Sequence, residues 1–493
     1  MNYRLVAKYL GFFITALALL MGPSMIWAVY FQEWDALRAF AISFAIAAMI
    51  ALILLMLGRN ASQTMFQREA LLMVAMSWIV AAIIGSIPYI MTGSLGIVDS
   101  FFESMSGFTT TGSTVIQDIE AQPKSLLFWR SFSQWLGGIG VVVMAIAVLP
   151  YLGAGGKQLF KSESTGENPH GMSPRIKDTA QMLYRAYLTL TVSMLLLLMM
   201  AGMGFYDALC HTMSTISSGG FSTRQASISA FDSVAIETIV IVFMLIAGTS
   251  FSLIFVIFNK NWKALFKDTE WRTFIGIFVV VTLVATLNIF YGQSHVGDGS
   301  FPDEPHTAGY SFRIASFQVA SILTGTGFNT HDYATWPNLS IMLIFVIMFF
   351  GGCAGSTTGG LKVVRLVMLT KIVYWRVENT FRPKTIRAVR IGDNVIDDDT
   401  RKSVNAFFVL YLGWFVVGTI LMSALGLPFE SAMGAVAGTL NNIGPGLDFV
   451  GPAHDYSHIP ALGKLFLSMC MVLGRLELFS ICVLLIPGFW RHA

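Results

Sequence analysis

The chain has 493 residues, of which 31 are Lys or Arg and 28 are Asp or Glu, so 12% are charged against 55% hydrophobic. Soluble domains carry about a quarter of their residues as charges. At this composition, with a mean hydropathy of +0.67, the roughly three soluble domains that such a length could make would lack the charge to cover their surfaces. A soluble enzyme and a disordered chain are both excluded, and a net charge of +3 is too small to imply a nucleic-acid partner. The expected surroundings are a lipid bilayer, and the expected class is an all-α polytopic membrane protein.

A spanning helix needs about 20 apolar residues. In chain order such stretches occur at 9–31, 39–58, 70–91, 131–152, 186–204, 234–258, 273–291, 339–377 (interrupted), 404–425 and 465–487. The first is too long for the apolar core of a signal peptide and lacks a small-residue cleavage site, so it reads as a span. Ten crossings put both ends on one side. One set of connections holds Arg4, Lys8, Arg59, Arg68, Lys157, Lys161, Arg175, Lys177, Lys260, Lys263, Lys267, Arg272, a dense basic run from Lys362 to Lys402, and Arg491. The other holds only Arg38, Lys124, Arg130, Arg224, Arg313 and Lys464. Positive charge accumulates on the cytoplasmic side, so both termini are expected in the cytoplasm. Cys210, Cys353, Cys470 and Cys482 lie in or beside apolar stretches without metal-ligand spacing and read as buried thiols.

Four outer connections share one pattern: a half-apolar stretch, a cluster of Ser, Thr, Asn and Gly, then a turn. They culminate at Gly112, Gly220, Gly327 and Gly444, spaced by 108, 107 and 117 residues. In the first two, an Asp (Asp99, Asp207) stands 13 residues before the glycine and a Met-Ser pair begins seven before it, at Met105 and Met213. This repeat predicts four tandem helix–pore-helix–helix units in a pseudo-fourfold arrangement, preceded by two N-terminal transmembrane helices. The divisions are 1–69, 70–178, 179–272, 273–401 and 402–493.

Irregular backbone at membrane depth is tolerated only where it is buried in protein or lines a water-filled cavity. Four such segments around one axis can aim carbonyl oxygens inward and replace the hydration shell of a monovalent cation. Glycine permits the backbone angles this requires, and the partially negative ends of short helices favour a cation. The filter residues are therefore expected to be Thr110, Thr111, Gly112, Ser218, Gly219, Gly220, Gly325, Thr326, Gly327, Asn442, Ile443 and Gly444. The ion is expected at Thr110, Thr111, Ser218, Gly219, Gly325, Thr326, Asn442 and Ile443.

The four segments, the broken helix Gly351-Gly-Cys-Ala-Gly-Ser-Thr-Thr-Gly-Gly-Leu-Lys362 and Gly474-Arg475-Leu-Glu477 together resemble the Trk/Ktr/HKT superfamily of potassium transporters. The resemblance covers the whole chain, and the two extra N-terminal spans make it most similar to the bacterial TrkH/TrkG membrane subunits. It implies potassium as the ion. A serine at the first key position accompanies sodium in some plant relatives, whereas all four positions here are glycine. It also implies a homodimer in the cell inner membrane, one pore per protomer. The implied partner is a TrkA-type cytoplasmic regulatory protein that binds NAD(H) and ATP or ADP. No organic cofactor is expected in this chain. Gly153-Ala-Gly-Gly-Lys157 and the stretch 351–362 lack the spacing of a phosphate-binding loop.

Residues 351–360 read either as close helix packing through small residues or as the second expected site, an unwound gating loop crossing the cavity below the third filter segment, with Gly351, Gly355, Ser356, Thr357, Thr358 and Gly359. Arg475 is expensive inside a span. It reads either as half of an ion pair with Glu477 or, as the resemblance implies, as a positive charge in the permeation path that helps the loop close. Lys362 either holds the loop or marks the cytoplasmic boundary. Asp99, Glu103, Asp207 and Glu430 either form a negative outer mouth or cap the short helices. Glu237 reads as interfacial and His211 as a packed polar residue. The basic stretch 382–390 meets lipid headgroups or the regulatory ring. Two rivals to a potassium-selective pore are a proton- or sodium-coupled alternating-access symporter, which needs inverted repeats, and a membrane enzyme. The enzyme would need a catalytic cluster that this sequence does not supply.

Overall fold

The computed structural model describes residues 2–61, 66–148, 176–258, 262–292, 307–382, 390–391, 394–476 and 478–490. Among these the chain is helical apart from one antiparallel pair of two-residue strands, Arg390–Ile391 and Asn394–Val395. Six helices are long and apolar enough to cross a membrane, or seven if one bent pair counts as a single span. Large apolar side chains on their outward faces, such as Ile53, Met56, Val409 and Ile420, stay exposed. That arrangement suits hydrocarbon rather than water as the solvent.

Besides the interrupted stretch at 339–377, three of the ten expected spans are not continuous helices. The stretch at 234–258 divides into Val234–Ala247 and Phe251–Phe258, with a 107° bend between them. The stretch at 465–487 is helical only to Arg475, in Ala461–Arg475, and continues as the short turns Phe479–Cys482 and Val483–Leu485. The first stretch also breaks, between Tyr3–Leu19 and Gly22–Tyr30, where Pro23 occupies the first turn of the new helix, a position that needs no proline N–H.

Each unit runs leading helix, short helix, glycine segment, trailing helix. The leading helices are Gln67–Met91, Ile176–Met200, Thr269–Tyr291 and Asp398–Ala424. The short ones are Ile97–Phe108, Phe205–Ile216, Ala308–Leu323 and Phe429–Leu440. The trailing ones are Lys124–Val148, Val234–Ala247, Asn338–Met348 and Ala461–Arg475. Each trailing helix packs against the short helix of the next unit, and the fourth packs against the short helix of the first. This cyclic packing is what makes the arrangement fourfold. The helices Tyr3–Leu19 and Trp34–Leu57 pack on each other and on the leading helix of the first unit, outside the ring.

Candidate ion pathway and its closing loop

The local structure of the four segments follows from how each short helix ends. Two residues before the marked glycine, the backbone enters the left-handed region at Thr110 (φ 53°), Ser218 (φ 56°), Gly325 (φ 63°) and Asn442 (φ 52°). It returns there at Gly112, Gly220, Gly327 and Gly444. A β-branched residue such as Thr110 is costly in this conformation, by about 1–2 kcal/mol. The same two hydrogen bonds hold it in every unit. The N–H groups of Thr110, Ser218, Gly325 and Asn442 donate to the carbonyls of Gly107, Thr215, Ile322 and Thr439 at 3.0–3.2 Å. Those of Thr111, Gly219, Thr326 and Ile443 donate to Ser106, Ser214, Ser321 and Gly438 at 2.8–2.9 Å. One residue earlier, Thr109, Ser217, Thr324 and Asn441 each donate a side-chain hydrogen bond to the carbonyl four residues back, at 2.7–2.8 Å. This last position was not singled out from sequence, although its polar identity recurs in all four units.

The marked glycines then close a ring. A Cβ on Gly112 would overlap the Gly219 carbonyl, one on Gly220 the Thr326 carbonyl, and one on Gly327 the Ile443 carbonyl; one on Gly444 would lie 2.8 Å from the Thr111 carbonyl. Each glycine therefore touches the residue preceding the glycine of the next unit, and the fourth returns to the first. Among the described residues none donates a hydrogen bond to the carbonyls of Thr110, Thr111, Ser218, Gly325, Thr326, Asn442 or Ile443. Buried carbonyls are normally paired, and oxygens left free in this way are suited to a cation. The Gly219 carbonyl differs, because it accepts from Gln134 Nε2 at 2.6 Å. The Gly444 carbonyl accepts from Ser113 Oγ and Tyr456 Oη, at 3.0 and 2.7 Å.

Sequence reasoning missed Gln134. Its Oε1 also accepts from the N–H of Phe221 at 3.1 Å, so one amide braces both sides of Gly220. It missed the side chain of Asn442 as well, which donates to Thr111 Oγ1 and to the Met471 carbonyl, both at 2.9 Å.

The acidic residues are matched by bases. Asp99, Asp207 and Glu430 stand in the first turns of short helices, where a negative charge suits the helix dipole, but none of the three helices has a side-chain cap hydrogen bond. Asp99 pairs with Lys464 at 2.5 Å, Glu103 with Arg130 at 2.8 Å, and Asp207 with Arg224 at 3.1 Å. Three of the four thus carry a neutralising partner, which argues against a strongly negative mouth built from them. Glu237 is buried in the first turn of its helix and pairs with Arg313 of the third unit at 3.0 Å. His211 is a packed residue, its ring nitrogens 2.7 Å from the Asp207 carbonyl and 2.9 Å from Ser222 Oγ. The four cysteines are free thiols.

Beneath the ring, the chain between Met348 and Val363 is unwound. Gly351 N donates to the Leu361 carbonyl at 2.7 Å, closing a loop that contains Gly351, Gly355, Ser356, Thr357, Thr358 and Gly359. The loop does not lie simply under the third segment. Thr357 Oγ1 is 2.9 Å from Ser218 Oγ and 3.2 Å from the Ile216 carbonyl, both in the second unit. A Cβ on Gly359 would press on Asn441 and Asn442 of the fourth. The second and fourth segments face each other across the ring, so the loop passes under its centre. It also explains the bend in the second trailing helix. The break leaves the Gly248 carbonyl and the Phe251 N–H without helical partners, and the loop supplies both. Cys353 N donates to Gly248 at 2.8 Å, and the Gly355 carbonyl accepts from Phe251 at 3.2 Å.

Arg475 is 5% exposed and ends the last trailing helix. Its Nη1 donates to the Thr357 carbonyl, and its Nη2 reaches the Gly137 carbonyl at 3.5 Å. It thereby ties the loop of the third unit to the first and fourth. Among the described residues it makes no ion pair; Glu477, the alternative partner, lies outside them. Lys362 Nζ donates to Thr358 Oγ1 at 3.0 Å, so it holds the loop. Gly153–Lys157 and residues 383–389 of the basic stretch also lie outside the described residues.

The comparisons agree on one family. The model of the TrkH family, cation transport proteins, matches residues 36–490. The chain is 37% identical to the Trk system potassium uptake protein TrkH of Halomonas elongata, over 100% of both chains. It is 33% identical to the Trk system potassium uptake protein TrkG of Escherichia coli strain K12, over 99% of both. It also superimposes on the crystal structure of the potassium transporter TrkH from Vibrio parahaemolyticus with a TM-score of 0.89, at 34% identity and over 100% of both chains. The chain therefore belongs to the TrkH family of cation transport proteins, which makes it a transporter and not an enzyme.

Proposed function

We propose that the protein takes up potassium across the bacterial inner membrane, through a selectivity filter formed by the four glycine segments and an intramembrane gate formed by residues 351–360 with Arg475. The observation that carries this reading is the ring. Four quasi-equivalent segments meet glycine against carbonyl, with unpaired oxygens at Thr110, Thr111, Ser218, Gly325, Thr326, Asn442 and Ile443. A potassium ion sheds its water there and is held by these oxygens. The Gly219 carbonyl contributes less, since Gln134 occupies one of its lone pairs.

The driving force is the membrane potential, worth about 2.3 kcal/mol per charge per 100 mV. Below the ring, Arg475 and the loop hold the path closed, and a TrkA-type nucleotide-binding partner controls the opening of the loop. The protein acts as a homodimer with both termini in the cytoplasm, and its units divide as 70–178, 179–272, 273–401 and 402–493. A pore is favoured over a coupled symporter because all four re-entrant segments repeat in one orientation, without the inversion that alternating access uses. The test is tracer flux into liposomes holding the purified protein, with potassium against sodium. Potassium flux in excess of sodium supports the reading; equal or absent flux of both, with and without the partner, contradicts it.

A further inference from the structure

The loop beneath the ring is fixed at one carboxylate that the proposed mechanism does not use. Glu270 stands in the first turn of the third leading helix, just after Asp268, whose side chain caps that helix through Trp271 N at 2.7 Å. Glu270 is buried, and a single oxygen, Oε1, accepts from Ala354 N at 2.7 Å and from Val364 N at 3.1 Å.

The first bond takes the residue at which the loop turns away. The second takes a first-turn N–H of the helix Val363–Phe381, which has no side-chain cap of its own. First-turn N–H groups need such a partner, and a carboxylate also suits the positive end of the helix dipole. Between the two anchored residues, Gly355 and Gly360 both hold φ 72°. These are the swivel points of the segment that carries Thr357 to Arg475. The helix bearing Glu270 packs along the third short helix and does not belong to the loop.

From this geometry we infer that Glu270 is the positioning post of the gate. It fixes both ends of the 355–360 segment against the rigid third unit. Opening then swings only the glycine-bracketed piece, and closing returns Thr357 to Arg475 in register. Without the post, the loop loses its reference, and the closed state leaks. The inference rests on the gate reading and adds a residue 84 positions away from the loop contact it makes.

The test is rubidium tracer flux through the full-length protein in liposomes, without any partner. Glu270→Ala is expected to raise the basal flux by about tenfold, as loss of a charge-assisted hydrogen bond would. Glu270→Gln keeps an oxygen able to accept both N–H groups and is expected to stay close to wild type. A Glu270→Ala flux equal to wild type overturns the inference, as does a Gln variant as leaky as the Ala variant. A role confined to folding would lower flux in both. Should the Ala variant fail to assemble, residue-resolved hydrogen exchange of the wild type decides. The amides of Ala354 and Val364 are expected to exchange more slowly than those of 357–359, and equal or reversed protection overturns the inference. Arg475→Ala serves as the control: an unchanged flux there counts against the gate itself, whereas a raised flux there beside an unchanged Glu270→Ala counts only against the post.

Discussion

The guanidinium of Arg475 donates to the backbone carbonyl of Thr357, 118 residues earlier in the chain. This joins the last helix of the ring to the loop that runs under it. A buried guanidinium is costly unless its donors are used. Here a carbonyl of the loop and the Gly137 carbonyl take two of them, while Nε has no partner among the described residues.

On the proposed gate, replacing Arg475 favours the open state on two counts: it removes the tether to Thr357 and it removes a positive charge beneath the ring. Arg475→Ala is expected to raise partner-free ion flux in liposomes by about tenfold or more, the equivalent of one charged hydrogen bond. Arg475→Lys, with one compact donor group in place of a planar fork, is expected to fall between. Flux equal to or below wild type in well-expressed protein would count against the closing role.

The ring predicts an order among the glycines. A methyl group at Gly220 or Gly327 would lie 1.9 or 2.0 Å from a neighbouring carbonyl oxygen, whereas one at Gly444 would lie 2.8 Å from it, a smaller overlap. All of them also carry left-handed backbone, where an alanine costs about 1–2 kcal/mol. Alanine at 220 or 327 is expected to abolish potassium flux, and alanine at 444 to leave a measurable remainder. Flux assays of the three variants, each checked for assembly, would show whether the order holds; equal tolerance at all three would contradict the close packing.

Behind the ring, Arg130 and Glu103 form an ion pair that is 1% and 0% exposed. Arg130 also donates to the Ser222 carbonyl at 3.1 Å and lies over the Phe221 ring at 4.0 Å, so the pair links the first and second units. Removing one partner of such a pair leaves a buried charge and costs about 3–5 kcal/mol. Arg130→Ala is expected to lower the thermal unfolding midpoint in detergent markedly. A change no larger than that of an exposed-pair variant such as Arg38→Ala would show that the pair is dispensable.

His331 sits in the connection after the third segment, 2.7 Å from the Tyr310 hydroxyl. Burial, and then the Arg313 charge, push its imidazole down from 6.5 to about 4. Between those values the unfolded chain binds a proton that the folded protein does not, so this group's contribution to stability is present above pH 6.5 and is lost as pH falls toward 4. The unfolding midpoint is expected to drop across that window, and His331→Gln to flatten the drop. Superimposable pH profiles would refute the assignment.

Much of the site was legible because the pattern is local and repeated. Gly112, Gly220, Gly327 and Gly444 recur at nearly one period, and each is required by a positive φ that its neighbours impose. The loop was legible for a similar reason, since Ala354-Gly-Ser-Thr-Thr-Gly-Gly360 cannot pack as an apolar helix. What the sequence hid lies in contacts between distant residues. Gln134 braces a segment 85 residues away, and Glu270 holds a loop 84 residues away. Neither has a neighbour in sequence that marks it. The bend falls on Gly248-Thr249-Ser250, a small polar interruption of 234–258, but its size was hidden because the groups that stabilise the break, the loop backbone and the Thr357 hydroxyl, belong to a distant part of the chain. The ion pair of Glu237 was hidden because its partner, Arg313, belongs to the next unit.

In the proposed filter, carbonyl oxygens of the four segments hold a dehydrated potassium ion at the middle of the ring. Anomalous scattering from crystals grown with thallium or rubidium in place of potassium tests it most directly. A peak is expected on the ring axis within coordination distance of the Thr111, Thr326 and Ile443 carbonyls. Bound heavy ion only at other places, with none on that axis, would contradict it.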